Sequence, residues 1–384
     1  MGIRQKISLV ALLMLLLVVG CDRTQNDALA GTTVCYAPRY AKGFTILADT
    51  LNIGNHIIRI TNPYQSDESF EQLLYLHNSE GTSCPDTFAG DIVSLPVDRI
   101  AVMSSSFVAM LDAIDCNERI VGVSGLKFIT NEKIRRAADE GRVVEIGYDS
   151  NLNFEQIASR GTDIVLLYGL YGEDSATTAK LRSLGIPYLY IGDYVEYEPL
   201  GKAEWMVALG YLCGCEERAI ECFRLIESRY TAIRDRKYCS AYRPRVMLNL
   251  PYRDSWFMPS TKSYAVRLIE DAGGEYIYPQ NETTTSVPIS TEEALLLASE
   301  ADFWLNVGQL SSLDELRAIA PRFAEVDAVR ERRTYNNNRR TTAVGGSDFW
   351  ESGAVRPDLI LEDLVKILHF EAPTDSLYYY QKLE

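Results

Sequence analysis

Two distant stretches of the chain follow one plan. Residues 154–169 read FEQIASRGTDIVLLYG, and residues 291–308 read TEEALLLASEADFWLNVG. Each opens a helical pattern with a glutamate, Glu155 or Glu292. Each then sets an aspartate (Asp163, Asp302) before an unbroken apolar run and closes the run with a glycine (Gly169, Gly308) six positions after that aspartate. Short apolar runs without alternation are what strands covered on both faces require. The plan therefore predicts a helix, a turn and a buried parallel strand, twice over. Two such units predict two α/β lobes of similar build, and a two-lobed protein binds its ligand in the cleft between them.

Other segments fit this frame. RIAVM (99–103) and RIVGVSG (119–125) are further buried-strand patterns; with the Asp163 run and PYLYI (187–191) they complete an N-terminal lobe over residues 96–197. Ser104 and Ser105 lie between a strand and a helix, where hydroxyls serve either as N-caps or as polar ligand contacts. A helical pattern from residue 199 breaks at 210–214 and resumes from 216 to about 237, with Ala219, Cys222, Phe223, Ile226 and Tyr230 at helical spacing. Residues 198–240 are thus the expected stiff connection between lobes. The second lobe spans 241–371 and closes with a helix opened by Pro357, leaving 372–384 as a tail. Ahead of both lobes, residues 31–95 carry short β patterns at 41–46, 56–63 and 73–76, a small β-rich extension.

The N-terminus reads as a secretory signal over residues 1–20. Arg4 and Lys6 precede an apolar stretch at 9–19, short of the ~20 residues a membrane span needs. Residues 22–26 then form a polar tether. The 384 residues, 47% of them hydrophobic, suffice for two or more domains. Net charge is −15, and loss of Arg4 and Lys6 with the signal makes it −15 − 2 = −17. So acidic a surface excludes nucleic acid as a natural partner. Seven cysteines besides Cys21 are an odd number, so at least one is free or paired between chains. Cys35 and Cys84 bracket one segment and are the first candidate pair. Cys213 and Cys215 flank a glycine at the helix break without a histidine that would suggest zinc, and Cys116 and Cys222 read as isolated buried thiols. The three histidines, His56, His77 and His369, are scattered, unlike the clustered ligands of a bare zinc or manganese carrier. The rival reading, an enzyme with similar lobes, finds no Gly-rich phosphate loop and no Ser-His-Asp trio.

The segments VDRIAVMS (97–104), IVGVS (120–124), NFEQI (153–157), TDIVL (162–166), DAGG (271–274) and STEEAL (290–295), in that order, resemble the iron-chelate and cobalamin class of periplasmic solute-binding proteins of ABC importers, over about residues 96–370. The ending Gly20-Cys21 resembles the bacterial lipobox. The resemblance implies two Rossmann-like α/β lobes joined by one long rigid helix, cleavage before Cys21, lipidation of its thiol and a membrane-anchored protein facing the periplasm. It implies that Glu155 and Glu292 dock onto arginines of a permease that works with an ATPase. Two exposed carboxylates on separate lobes suit that task, and each also suits its own helix dipole, worth about 0.3–1 kcal/mol. The cargo cleft is implied to be lined by loops carrying Tyr148, Tyr168, Trp256, Phe257, Phe349 and Trp350, because aromatics suit a large flat ligand. Arg339 and Arg340 are candidates for an anionic chelate. Tyr148, Tyr168, Trp256 and Trp350 are expected to converge on one pocket. One departure stands out: the family often carries an arginine in the late loop, where this chain has Glu351-Ser352-Gly353. The expected protein is a monomeric, non-enzymatic cargo binder without a resident cofactor or metal. An iron chelate is its expected ligand, with cobalamin or haem as the alternative, and tyrosine rather than histidine would ligate a haem iron.

Overall fold

The computed structural model describes residue 29 and residues 31–64, 69–78, 88, 90–148, 151–169, 172–236, 242–253, 255–370 and 373–384. The signal, the lipobox with Cys21, and Cys84 and Cys239 lie outside the described residues.

Continuous apolar runs become buried parallel strands in both lobes. The N-terminal lobe holds five parallel strands in the order Tyr188–Tyr190, Ile164–Leu167, Ile100–Val102, Ile120–Val123 and Val144–Glu145. The first four are buried at every residue. The C-terminal lobe repeats the arrangement with Glu275–Tyr276, Arg245–Leu248, Phe303–Leu305 and Thr334–Asn336, all parallel, and Gln381–Lys382 antiparallel at the far edge. In each sheet the first strand of the lobe lies inside the order, with later strands added on both sides. That reversal creates a topological switch point at the carboxyl ends of the strands.

The paired aspartates do the same work in each lobe. Asp163 accepts from the backbone N–H of Arg99 at 2.9 Å and of Asp98 at 3.1 Å. Asp302 accepts from the N–H of Arg245 at 2.7 Å and from the Tyr242 hydroxyl at 2.7 Å. Each carboxylate thus satisfies an amide at the start of the neighbouring strand and fixes the register of the lobe's central pair. The glutamate-bearing helices are capped alike: Asn153 Oδ1 accepts from the N–H of Gln156 at 3.0 Å, and Ser290 Oγ from that of Glu293 at 3.1 Å.

The connection between lobes contains two helices, Pro199–Leu212 and Glu216–Arg234, parted at Gly214 (φ 63°). The first is buried at every residue but Lys202. The second, about 28 Å long at 1.5 Å per residue, touches both lobes. Near its start Arg218 and Cys222 donate to the carbonyls of Ile114 and Ala113; near its end the Tyr230 hydroxyl donates to Asp271 at 2.7 Å.

The extension is a five-stranded sheet, Thr32–Tyr36, Phe44–Asp49, His56–Thr61, Glu71–Asn78 and Asp91–Leu95, antiparallel except for its last pair. Buried side-chain groups fasten it to the body. Glu204, in the first connecting helix and 1% exposed, accepts from the Tyr36 hydroxyl and the backbone N–H groups of Arg39, Tyr40 and Ala41, all at 2.8–2.9 Å. Glu196 accepts from the N–H groups of Lys42 and Gly43 and from the Trp205 indole. Gln72 spans to the outer strand of the N-terminal lobe, donating to the Tyr188 carbonyl at 2.8 Å and accepting from the Tyr190 N–H at 3.0 Å.

Of the expected tail 372–384, the described residues 373–384 are not separate from the lobe. Asp363, on the closing helix Pro357–His369, accepts from the N–H groups of Tyr378, Tyr379 and Tyr380. This turns the chain back so that Gln381–Lys382 joins the sheet, with Tyr379, Tyr380 and Leu383 buried. The physical reason is the carboxylate: it supplies an acceptor for three consecutive amides that would otherwise be buried without one.

Candidate functional site

All five parallel strands of the N-terminal lobe deliver their carboxyl ends to one rim. The switch point falls between Ile100–Val102 and Ile164–Leu167, followed by Met103-Ser104 and Tyr168. A cavity of about 170 Å³ lies there, lined by Met103, Leu152, Leu167, Tyr168, Asp174 and Tyr190, with Gly169, Gly172 and Thr177. Ser104 caps the helix Ser105–Ala113, its Oγ accepting from the N–H of Ser106 at 3.3 Å and lying 2.9 Å from the Ser106 hydroxyl. Ser105 is half-buried in the first turn. Tyr168 is a lining residue of the cavity. The extension closes the far side. Tyr64 packs edge-on against Tyr190 and Phe70, and any side chain at residue 169 would come within 2.3 Å of its ring, so glycine is required there.

The equivalent point of the C-terminal lobe carries two residues that the sequence reading does not single out. Asn249 and Asn306 follow the two strands at the switch, both in the left-handed region (φ 69° and 60°). Asparagine tolerates this conformation best among residues with a side chain. The Asn249 amide donates to the Phe257 carbonyl at 3.0 Å, and Asn306 Oδ1 accepts from the Tyr380 hydroxyl at 3.0 Å. An asparagine directly after each buried run is the signal that marks them.

The expected convergence of four aromatics does not occur. Trp256 is fully buried in the core of the C-terminal lobe, its ring 5.0 Å from Phe323 and 5.4 Å from Trp304, its indole N–H donating to the Leu248 carbonyl at 2.8 Å. The cause is strand alternation. Ser255–Met258 pairs with Pro251–Tyr252 and Val287–Ser290 in a three-stranded sheet, which turns Trp256 and Met258 inward and Phe257 outward. Phe349 is also core, 3% exposed and edge-on to Tyr379 and Tyr380, because the returning C-terminal segment covers it. Tyr148 and Trp350 are exposed, at 41% and 51%. Arg339 donates to the Asp375 carbonyl at 3.1 Å. Arg340 is committed to Asp348 at 2.6 Å, with its guanidinium over the Tyr378 ring. Both arginines therefore brace the loop they sit on.

The late loop after these arginines, residues 345–353, joins the lobes. Glu351, 1% exposed, accepts from the backbone N–H groups of Thr130 and Asn131, each at 2.7 Å, and the Thr130 hydroxyl donates to Asp348 at 3.1 Å. Gly346 lies against the backbone of Phe128, where a Cβ has no room. Burial pushes Glu351 up to about 7, against the pull of the two amides. Glutamate in place of the arginine common at this loop thus has a structural purpose: it receives two amides of the opposite lobe.

The acidic helix starts lie on the surface. Glu155 and Glu292 are both exposed, and Glu292 pairs with Arg322 at 2.9 Å. Arg322 holds the Glu292 carboxyl below its usual range.

Residues 100–339, both switch points included, match the family described as periplasmic binding protein. The chain belongs to the periplasmic binding protein family. An uncharacterised lipoprotein of Methanocaldococcus jannaschii is 26% identical over 372 residues, 91% of this chain and 86% of that protein. Among solved structures, the fold is shared with the periplasmic vitamin B12 binding protein BtuF of Vibrio cholerae (17% identity, TM-score 0.52, 72% of this chain and 98% of that one). It is shared too with the periplasmic heme-binding protein RhuT of Roseiflexus sp. RS-1 (20%, TM-score 0.55, 71% and 98%). As a periplasmic binding protein, the chain is a solute-binding component of the ABC-importer class rather than an enzyme, and such components work with a permease and an ATPase. No helix of the described residues is long and apolar enough to cross a membrane.

Proposed function

We propose that this periplasmic binding protein captures an iron chelate of the siderophore type between its lobes and delivers it to an inner-membrane permease. The supporting observation is the cavity at the N-terminal switch point. Its partly exposed Tyr168 offers an aromatic ring after the strand next to the one that leads to Ser104, a pairing that suits the aryl rings and oxygen atoms of a chelate. Cobalamin or haem is the second reading, favoured by the proteins that share the fold. Titrating the purified chain with a ferric catecholate, a ferric hydroxamate, cyanocobalamin and hemin separates them. Saturable 1:1 binding of a ferric chelate is expected, weakened about 10-fold or more by Tyr168→Ala, as for a desolvated aromatic anchor. Binding of only the corrin or hemin transfers the assignment to the second reading; binding of none removes it.

In this reading Glu155 and Glu292 meet arginines of the permease. The Arg322–Glu292 pair is largely exposed and so costs little to exchange. Alanine at both positions is expected to leave ligand affinity unchanged and to abolish uptake in a reconstituted importer; a collapse of affinity would show that they face the cargo instead. The protein is exported and held to the membrane by lipid on Cys21. Cys21→Ser is accordingly expected to move it to the soluble fraction, and retention of that variant in membranes would contradict the anchor.

A further inference from the structure

We propose that Cys116 and Cys215 form a disulfide bond that covalently ties the N-terminal lobe to the pivot between the two connecting helices. The sequence reading treats Cys116 as an isolated thiol; the fold brings its sulfur to 3.5 Å from that of Cys215. Left-handed turns on both sides produce the approach. Asp115 (φ 56°) ends the run of the helix Ser105–Ala113 and turns Cys116 back under it, and Gly214 (φ 63°) turns Cys215 to the start of Glu216–Arg234. Arg119 fixes the relative position of the two segments, donating to the carbonyls of Val97 and Cys213 at 2.8 Å each. Cys116 and Cys213 are buried, while Cys215 is partly exposed and is the sulfur an oxidant reaches first. The Cys116 thiol is held well below the usual thiol range by hydrogen bonds from Cys213 and Cys215, aided by Arg119 and Arg218. Among the described residues no group of three or more His, Cys, Asp and Glu side chains is arranged to hold a metal ion, so the chemistry open to these sulfurs is with one another.

The oxidant is a disulfide of an exchange partner, such as oxidised glutathione. The Cys116 thiolate takes the proton of Cys215 as Cys215 attacks one sulfur of that disulfide, forming a mixed disulfide and releasing one thiolate, which then takes that proton from Cys116. The Cys116 thiolate then attacks the Cys215 sulfur and displaces the second. Two protein thiols lose two electrons and two protons, and one disulfide becomes two thiols. An exported protein meets such oxidants, but the reaction itself is testable in the purified chain and stands apart from the transport assignment.

The experiment equilibrates the full-length mature chain with oxidised and reduced glutathione, alkylates the remaining thiols, digests with trypsin and maps linked peptides by mass spectrometry. The expected link joins the peptide of Cys116 to the one ending at Arg218. Cys213 and Cys215 share that second peptide, so the variants assign the partner: Cys213→Ser keeps the link and Cys215→Ser abolishes it. Reduction should also lower the unfolding temperature of the native chain by more than it lowers that of Cys215→Ser. Alkylation of both Cys116 and Cys215 under excess oxidised glutathione overturns the proposal, as does a link that survives Cys215→Ser.

Discussion

Glu204→Ala is expected to destabilise the protein by about 3–5 kcal/mol, a large share of the 5–15 kcal/mol typical of a folded domain. The carboxylate is 1% exposed and serves four donors at once, the Tyr36 hydroxyl and the amides of residues 39–41. Alanine leaves all four without that acceptor, the Ala41 amide fully buried and the other three partly so. It also removes the template on which the chain turns from the first strand of the extension to the second. Glu204→Gln keeps one oxygen but points an N–H₂ group at the remaining donors, so a smaller loss of about 1–3 kcal/mol is expected. Urea unfolding measures both. A midpoint for Glu204→Ala within error of the parent would show that the extension holds without this anchor.

The second large effect is a pH dependence. Glu351 titrates near 7 in the folded protein because it is buried, and near the usual 4.5 when unfolded. Between those values the folded chain keeps a proton that the unfolded chain has released. The stability this contributes is complete below pH 4.5 and is lost as pH rises through 7, about 3 kcal/mol in all. Glu351→Ala should remove that slope. It should also cost about 2–4 kcal/mol at pH 5, where the amides of Thr130 and Asn131 lose their acceptor. Burial also raises Glu196 and Asp363, but these titrate in parent and variant alike, so the difference between the two stability profiles isolates Glu351. Parallel profiles from pH 4 to 8 would contradict the assignment. Since Glu351 joins the lobes, the alanine variant should also show a larger radius of gyration by X-ray scattering.

What is legible in the sequence is what local pattern determines. Buried parallel strands are continuous apolar runs, so Ile164–Leu167 and Phe303–Leu305 are readable to the residue, as is the equivalence of Asp163 and Asp302. The candidate site is readable only in part. The serines and Tyr168 follow strands, and position alone marks them. Trp256 misleads because its four-residue strand is too short for its alternation to stand out, so an inward tryptophan looks like a loop aromatic. Phe349 misleads for a non-local reason: its cover is a segment held by Asp363, 15–17 residues away in the chain. The structural carboxylates leave a fainter trace. Glu204 stands alone in the apolar stretch AEWMVAL, and a single acid inside a buried helix implies donors from elsewhere in the chain, though not which ones.

The Gln72 side chain has a consequence for how these molecules behave in a crowd. The strand Tyr188–Tyr190 is the outermost of the N-terminal lobe, and an outermost strand with open amides and carbonyls recruits strands from other molecules. One primary amide meets the Tyr188 carbonyl and the Tyr190 N–H together, imitating the peptide unit of an intruding neighbour. The edge is thereby closed to sheet-to-sheet aggregation, and the extension acts as a built-in solubility guard for the lobe it covers.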